Sequence, residues 1–175
     1  MMSRTRLKTD GNETAANIST IEVTGQLVVD HRARVWCNLP YPDHPLGCPN
    51  YGKTPECPPR APCIEDWLDF SRSHWFIIAR FDLDGFAARM KSRHPRWSAR
   101  QCRCCLYWQK SVHNKLSSLC NDFKRAHQGT IFSLRPEAMG INVFSTANAL
   151  RIPIEVRPRK TVTKIALVGY PKESI

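Results

Sequence analysis

Long apolar runs are missing from this chain of 175 residues. The longest, Trp75 to Ala79, falls far short of the roughly eighteen residues that a membrane-spanning helix needs, so nothing points to a membrane. Nor is a secretory leader expected. The opening segment MMSRTRLKTDGNETAANIST starts basic, but no apolar centre follows, and it reads as a solvated tail over residues 1–19 ahead of one domain over 20–175. Without export the expected place is the cytoplasm, where eight cysteines mean metal ligands or free thiols rather than disulfides. Acidic residues are scarce, 15 against 26 Lys and Arg, which leaves a net charge of +11. Such a field favours nucleic acid or an anionic small molecule as partner. The basic residues are nevertheless spread along the chain instead of forming one dense block. The six histidines form no HExxH or H-x-x-x-H pair, which argues against a zinc hydrolase of that kind. There is no phosphate-binding glycine loop, no G-x-S-x-G nucleophile motif, no internal repeat and no low-complexity segment.

What is present is concentrated between Arg34 and Cys63, RVWCNLPYPDHPLGCPNYGKTPECPPRAPC. Four cysteines and eight of the thirteen prolines fall in this stretch, too many prolines for a helix or an inner strand. It must be an irregular loop, and a loop of this length is usually either disordered or held in shape for a function. Cys37, Cys48, Cys57 and Cys63, with Trp36, Tyr41 and Tyr51, argue against disorder. Thiolates binding a metal or a cluster are the economical way to hold it.

Around the loop the pattern alternates between strands and helices. Ile21, Val23, Leu27 and Val29 have the period of a half-buried strand interrupted at Gly25. Ile64, Trp67 and Leu68 take helical spacing, and WFIIARFDL reads as a strand buried on both faces. A short helix over Phe86 to Lys91 must stop near His94, because Pro95 disfavours helical geometry in the residue before it. Ser98 and Gln101 form a capping box. Behind it Cys102, Cys105, Val112, Leu116, Leu119 and Phe123 recur every three or four residues, which predicts one long amphipathic helix from about Ser98 to Arg125. Its other face, with Arg103, Lys110, Asn114, Ser117, Asn121 and Lys124, reads as solvated. TIFSL is a short strand, Pro136 to Leu150 is helical around a break at Gly140, and VTKIALVGY is the last strand. The expected fold is α+β, a single domain with a mixed sheet covered by helices, or alternatively a small α/β layer.

The intervals between Cys37, Cys48, Cys57 and Cys63 are ten, eight and five residues. They match neither the close ligand pairs of zinc fingers nor the tight ferredoxin run. Pro49 after Cys48, and Pro58 and Pro59 after Cys57, fix much of the adjoining backbone and lower the entropy cost of gathering ligands. Arg34, Lys53 and Arg60 favour thiolate over thiol. Cys37, Cys48 and Cys57 are therefore the core ligands. The fourth is Cys102 on the long helix, with Cys105 and Cys63 as the other candidates, while Cys120 reads as core. If no fourth cysteine coordinates, one metal position stays open to substrate. His44 is the one histidine inside the loop. Asp82 and Asp84 read as a turn or helix cap, and Arg135 with Glu137 as a substrate-orienting or surface pair.

The stretch WCNLPYPDHPLGCPNYGKTPECPP resembles the C-P-x-Y-G-x(4)-C-P-P signature of an uncharacterised family of predicted metal-binding proteins, and RPEAMGINVFSTA resembles that family's downstream block. The resemblance implies Cys48 and Cys57 as ligands with Cys37 as upstream partner, and it supplies no reaction. Relatives carry further cysteines just before the Arg-Pro block, where this chain has FKRAHQGTIFSL, so it implies one metal site here. The resulting expectation is an iron–sulfur protein with a 4Fe-4S cluster. Its work would be electron transfer with a redox partner protein, or cluster-assisted chemistry on a sulfur-containing or anionic substrate. The alternative is a zinc-stabilised basic module that binds nucleic acid.

Overall fold

A computed structural model describes residues 17–40 and 45–173. Tyr41, His44 and most of the expected amino-terminal tail lie outside the described residues.

The strand predicted to be buried on both faces is β2, Trp75–Asp82. Alternation sends Phe76 and Ile78 to one side, where they pack with Ile64, Leu68, Ile141, Val143 and Leu167. Ile77 and Ala79 go to the other, against Leu116, Cys120, Ala166 and Val168. β1 (Asn17–Glu22) and β4 (Thr161–Gly169) flank β2, and β3 (Ile131–Ser133) lies outside β4, in the order β1-β2-β4-β3. The fold is α+β, as expected, but every strand pair is antiparallel where a mixed sheet was expected. Ser133, where β3 ends, pairs with Leu167, so the chain leaves β3 toward the end of the sheet where β4 begins. The segment joining them need not cross the sheet, as a parallel connection would require.

Helices α1 (Ile64–Trp67) and α5 (Val143–Ala149) supply Ile64, Val143 and Ala147 to one face. α4 (Gln109–Ala126) covers the other with Leu116 and Cys120. α2 (Leu83–Arg93) starts where β2 ends, with Asp82 accepting the Gly85 N–H at 2.9 Å, so the cap reading of Asp82 holds. Asp84 pairs with Arg103 at 2.5 Å.

The single long helix expected from Ser98 to Arg125 is broken. The capping box at Ser98 and Gln101 forms, but it opens only α3 (Ala99–Cys102), and a 3-10 turn over Cys105–Tyr107 separates it from α4. Packing overrides periodicity here. The Trp108 ring stacks on Phe81 with centroids 5.1 Å apart, and its indole N–H donates to the Arg103 carbonyl. A continuous helix would need that carbonyl for its own ladder. The first strand also differs from expectation. It starts at Asn17 and stops at Glu22 before a turn, and Val29 makes only an isolated bridge to Ile141.

Leu116 is 1% exposed and Leu106 is 82% exposed. Leu116→Ala should lower unfolding stability by about 2–5 kcal/mol, and Leu106→Ala by less than about 0.5 kcal/mol, measured by urea denaturation. His74 is fully buried; its Nδ1 meets the Arg72 carbonyl, while its Nε2 has no partner among the described residues. Burial holds its pKa below the ordinary 6.5. The unfolded chain therefore binds the proton more readily than the folded one, and stability is lost as pH falls below the ordinary value. The melting temperature should decline between pH 7 and 5.5, and His74→Gln should flatten that decline.

Candidate metal centre and adjoining cavity

The cysteine loop is folded by backbone contacts rather than by a core. Its first arm is a 3-10 segment, His31–Asn38, which carries Cys37. The second arm returns so close that the Cys48 N–H donates to the Cys37 carbonyl at 2.6 Å. Gly47 permits this: φ is +80°, and a Cβ there would lie 2.5 Å from the Cys37 oxygen. The Arg34 guanidinium donates to the carbonyls of Pro59, Ala61 and Pro62 at 2.8–3.2 Å, tying the end of the loop to its beginning. Thr54 Oγ1 donates to Cys57 Sγ at 3.1 Å.

Cys57 is buried, and Cys37 and Cys48 are half-buried. Burial pushes the Cys37 thiol up, and charge on Cys48, Cys57 and Glu137 adds to this, while Arg135 opposes it. Cys48 and Cys57 thus lie near enough to Cys37 to act on it electrostatically. The three do not form the coordination sphere of a single ion. Among the described residues, one His/Cys/carboxylate group has its ligand atoms all within 4.8 Å of one another, and it is His31, Cys63 and Glu65.

Of the candidate fourth ligands, Cys102 is buried against α2, beside Asp84, Ala87, Lys91 and Arg103. It is not among the groups acting on Cys37. Cys105 is exposed, and Cys63 stands with His31 and Glu65.

Beside the loop lies a cavity of about 340 Å³, within the range of small-ligand sites. Its position follows from the shortness of β3, which pairs only with Leu167–Gly169 of β4. Thr163, Lys164 and Ile165 of β4 are left facing a gap, closed by Gln109, His113 and Leu116 of α4, Phe144 of α5, and Leu134, Arg135 and Glu137 beyond β3. Two residues join cavity and loop. Arg135 pairs with Glu56 at 2.6 Å and reaches Thr54 at 3.5 Å, so its partner is Glu56 and not the Glu137 expected from sequence. Phe144 meets Trp36, the neighbour of Cys37, at 5.9 Å between ring centroids.

Three basic side chains face this space. Burial lowers the Lys164 pKa, with help from Arg135, and the ammonium has no hydrogen bond or ion pair among the described residues. Burial also lowers the His113 pKa, assisted by Lys164 and Arg135 and opposed by Glu56. Glu137 is pushed the other way by burial, opposed by its own backbone N–H. A cation in the middle of a central strand is unusual, and Lys164 within VTKIALVG was the visible sign of this cavity; His113 gave none.

No family model matches the chain, and no curated protein or solved structure matches it. No helix among the described residues is long and apolar enough to cross a membrane.

The electrostatics can be measured directly. In an NMR titration His113 should have its midpoint below the ordinary 6.5, and Lys164→Gln should move it upward by removing one of the opposing charges.

Proposed function

We propose that the protein holds a four-iron iron–sulfur cluster through Cys37, Cys48 and Cys57 in the cytoplasm, and applies it to a small anionic substrate in the adjoining cavity. The observation that carries this reading is the shared wall. Arg135 and Glu137, which line the cavity, are the same residues whose charge reaches the Cys37 thiol. The thiols suit a cluster in their chemistry, and as they stand the three do not form a single-ion group. One zinc ion with bonds of about 2.3 Å would draw its sulfurs to roughly 3.8 Å from one another, whereas a cluster puts each thiolate on a different iron. Cys102 remains against α2. A cluster with three protein thiolates has one iron open to a ligand, which supplies Lewis-acid or redox chemistry there.

The chain's own residues supply the rest. Lys164 and Arg135 give the cavity a positive field that draws an anion and orients it toward the loop. His113, held neutral near pH 7, can accept or donate a proton at the cavity wall. Leu116, Leu134, Phe144 and Ile154 limit the entry of water. Sulfur-containing anions are the first class to test, because iron–sulfur sites favour soft sulfur ligands.

The nucleic-acid reading draws on the +11 charge and an open groove along α4. Among the described residues that groove offers Lys124 and Arg125 as its cations, and Arg125 is paired with Asp122. It is the weaker reading.

Protein purified without oxygen should contain about four irons and matching sulfide per chain, with the broad visible absorbance of a thiolate-bound cluster. Cys48→Ala should lose both, and Cys102→Ala should keep them. Added inorganic sulfide should perturb the visible spectrum, and Lys164→Gln should keep its iron yet need roughly tenfold more sulfide, as for loss of one charged contact. A colourless protein with one zinc, binding polyanions with a steep salt dependence, would replace this reading with the nucleic-acid module.

A further inference from the structure

We infer that His31, Cys63 and Glu65 form a second metal site, for a single zinc-like divalent ion, separate from the three loop cysteines. Their ligand atoms all lie within 4.8 Å of one another. His31 Nε2 and Glu65 Oε1 are 2.9 Å apart. A tetrahedral ion bound at about 2.0 Å to each would hold them roughly 3.3 Å apart, so this pair needs a shift of only a few tenths of an ångström, and Cys63 closes on the ion from within 4.8 Å. Imidazole, thiolate and carboxylate together suit zinc and its first-row neighbours rather than calcium or magnesium, which take oxygen ligands. With thiolate and carboxylate both ionised, a divalent ion makes the set neutral.

The surroundings hold the three groups in place. His31 packs against Gly140, where φ is +101° and an added Cβ would lie 2.6 Å from Nδ1. This fixes the ring and turns Nε2 toward Glu65. The main chain is joined at the same point, since Asp30 N–H donates to the Gly140 carbonyl at 2.7 Å. The three carbonyls gripped by Arg34 belong to the residues just before Cys63 and fix its approach. Lys172 donates to the Glu65 carbonyl and leaves the carboxylate to the site. His31 and Glu65 are exposed and Cys63 is half-buried, so an ion can enter from solvent and keep a water as its fourth ligand.

The placement gives the site its role. His31 lies ahead of Cys37, and Cys63 and Glu65 lie after Cys57, at the two ends of the loop. An ion here closes the loop at its neck. It removes chain entropy that the thiols would otherwise have to overcome when they gather around their own metal.

This inference does not depend on the iron–sulfur reading, and its test separates the two. Full-length protein carrying Cys48→Ser, with the loop site disabled, is titrated with Co(II) and then with Zn(II). The expected result is one cobalt per chain with thiolate-to-metal charge-transfer absorbance, displaced by zinc. His31→Gln and Cys63→Ser should each weaken zinc binding by about tenfold or more. Because Cys63→Ser alters the loop backbone's neighbourhood, Glu65→Gln is measured as well. It should retain the parent circular dichroism, bind zinc more weakly, and lose the rise in melting temperature that zinc gives the parent. Absent thiolate absorbance, or absorbance unchanged in Cys63→Ser and His31→Gln, overturns the site. So does a zinc affinity left unchanged by Glu65→Gln in the Cys48→Ser chain.

Discussion

The hydrogen bond from Cys48 N–H to the Cys37 carbonyl sets the geometry on which the candidate centre depends. It forms because Gly47 has no side chain; any Cβ there would meet the Cys37 oxygen and Asn38. The two arms of the loop therefore touch through backbone. Arg34 does the same work at the far end with three carbonyls. A loop rich in proline has few N–H donors to satisfy its own carbonyls, and a guanidinium with five donors replaces them well.

The cavity is likewise a product of backbone economy. β3 is three residues long, and the chain turns away at Arg135 before it can pair with the first half of β4. A longer β3 would have covered Lys164 and left no space beside it. Burial holds His113 and Lys164 below their ordinary pKa values and Glu137 above its own, and shifts of this kind concentrate where a protein handles charge.

Much of this was readable from residues. WFIIARFDL declared a doubly buried strand because both faces of β2 meet helices, and the proline count marked the irregular loop. Ser98 and Gln101 declared their cap correctly, yet the helix behind them was overextended, since periodicity does not register the pull of Trp108 toward Phe81 and Arg103. Cys102 is buried as its spacing suggested, but it sits on the separate α3, against α2. His31 and Glu65 are 34 positions apart in sequence and meet only because the loop between them closes. His113, Arg135 and Lys164 come from three elements that share no motif. Contacts of that kind are set by topology, and no local pattern carries them.

The order of the sheet has a consequence for how the chain is made. β2 lies between β1, which comes before the cysteine loop, and β4, which is synthesised only after α2 through α5 and β3. Until β4 emerges, one edge of the most apolar strand has no partner, and neither face can be sealed. The nascent chain must carry Phe76, Ile77 and Ile78 through that interval with its loop thiols already outside the ribosome. A protein wired this way acquires its thiol-bearing loop early and the sheet beside it late.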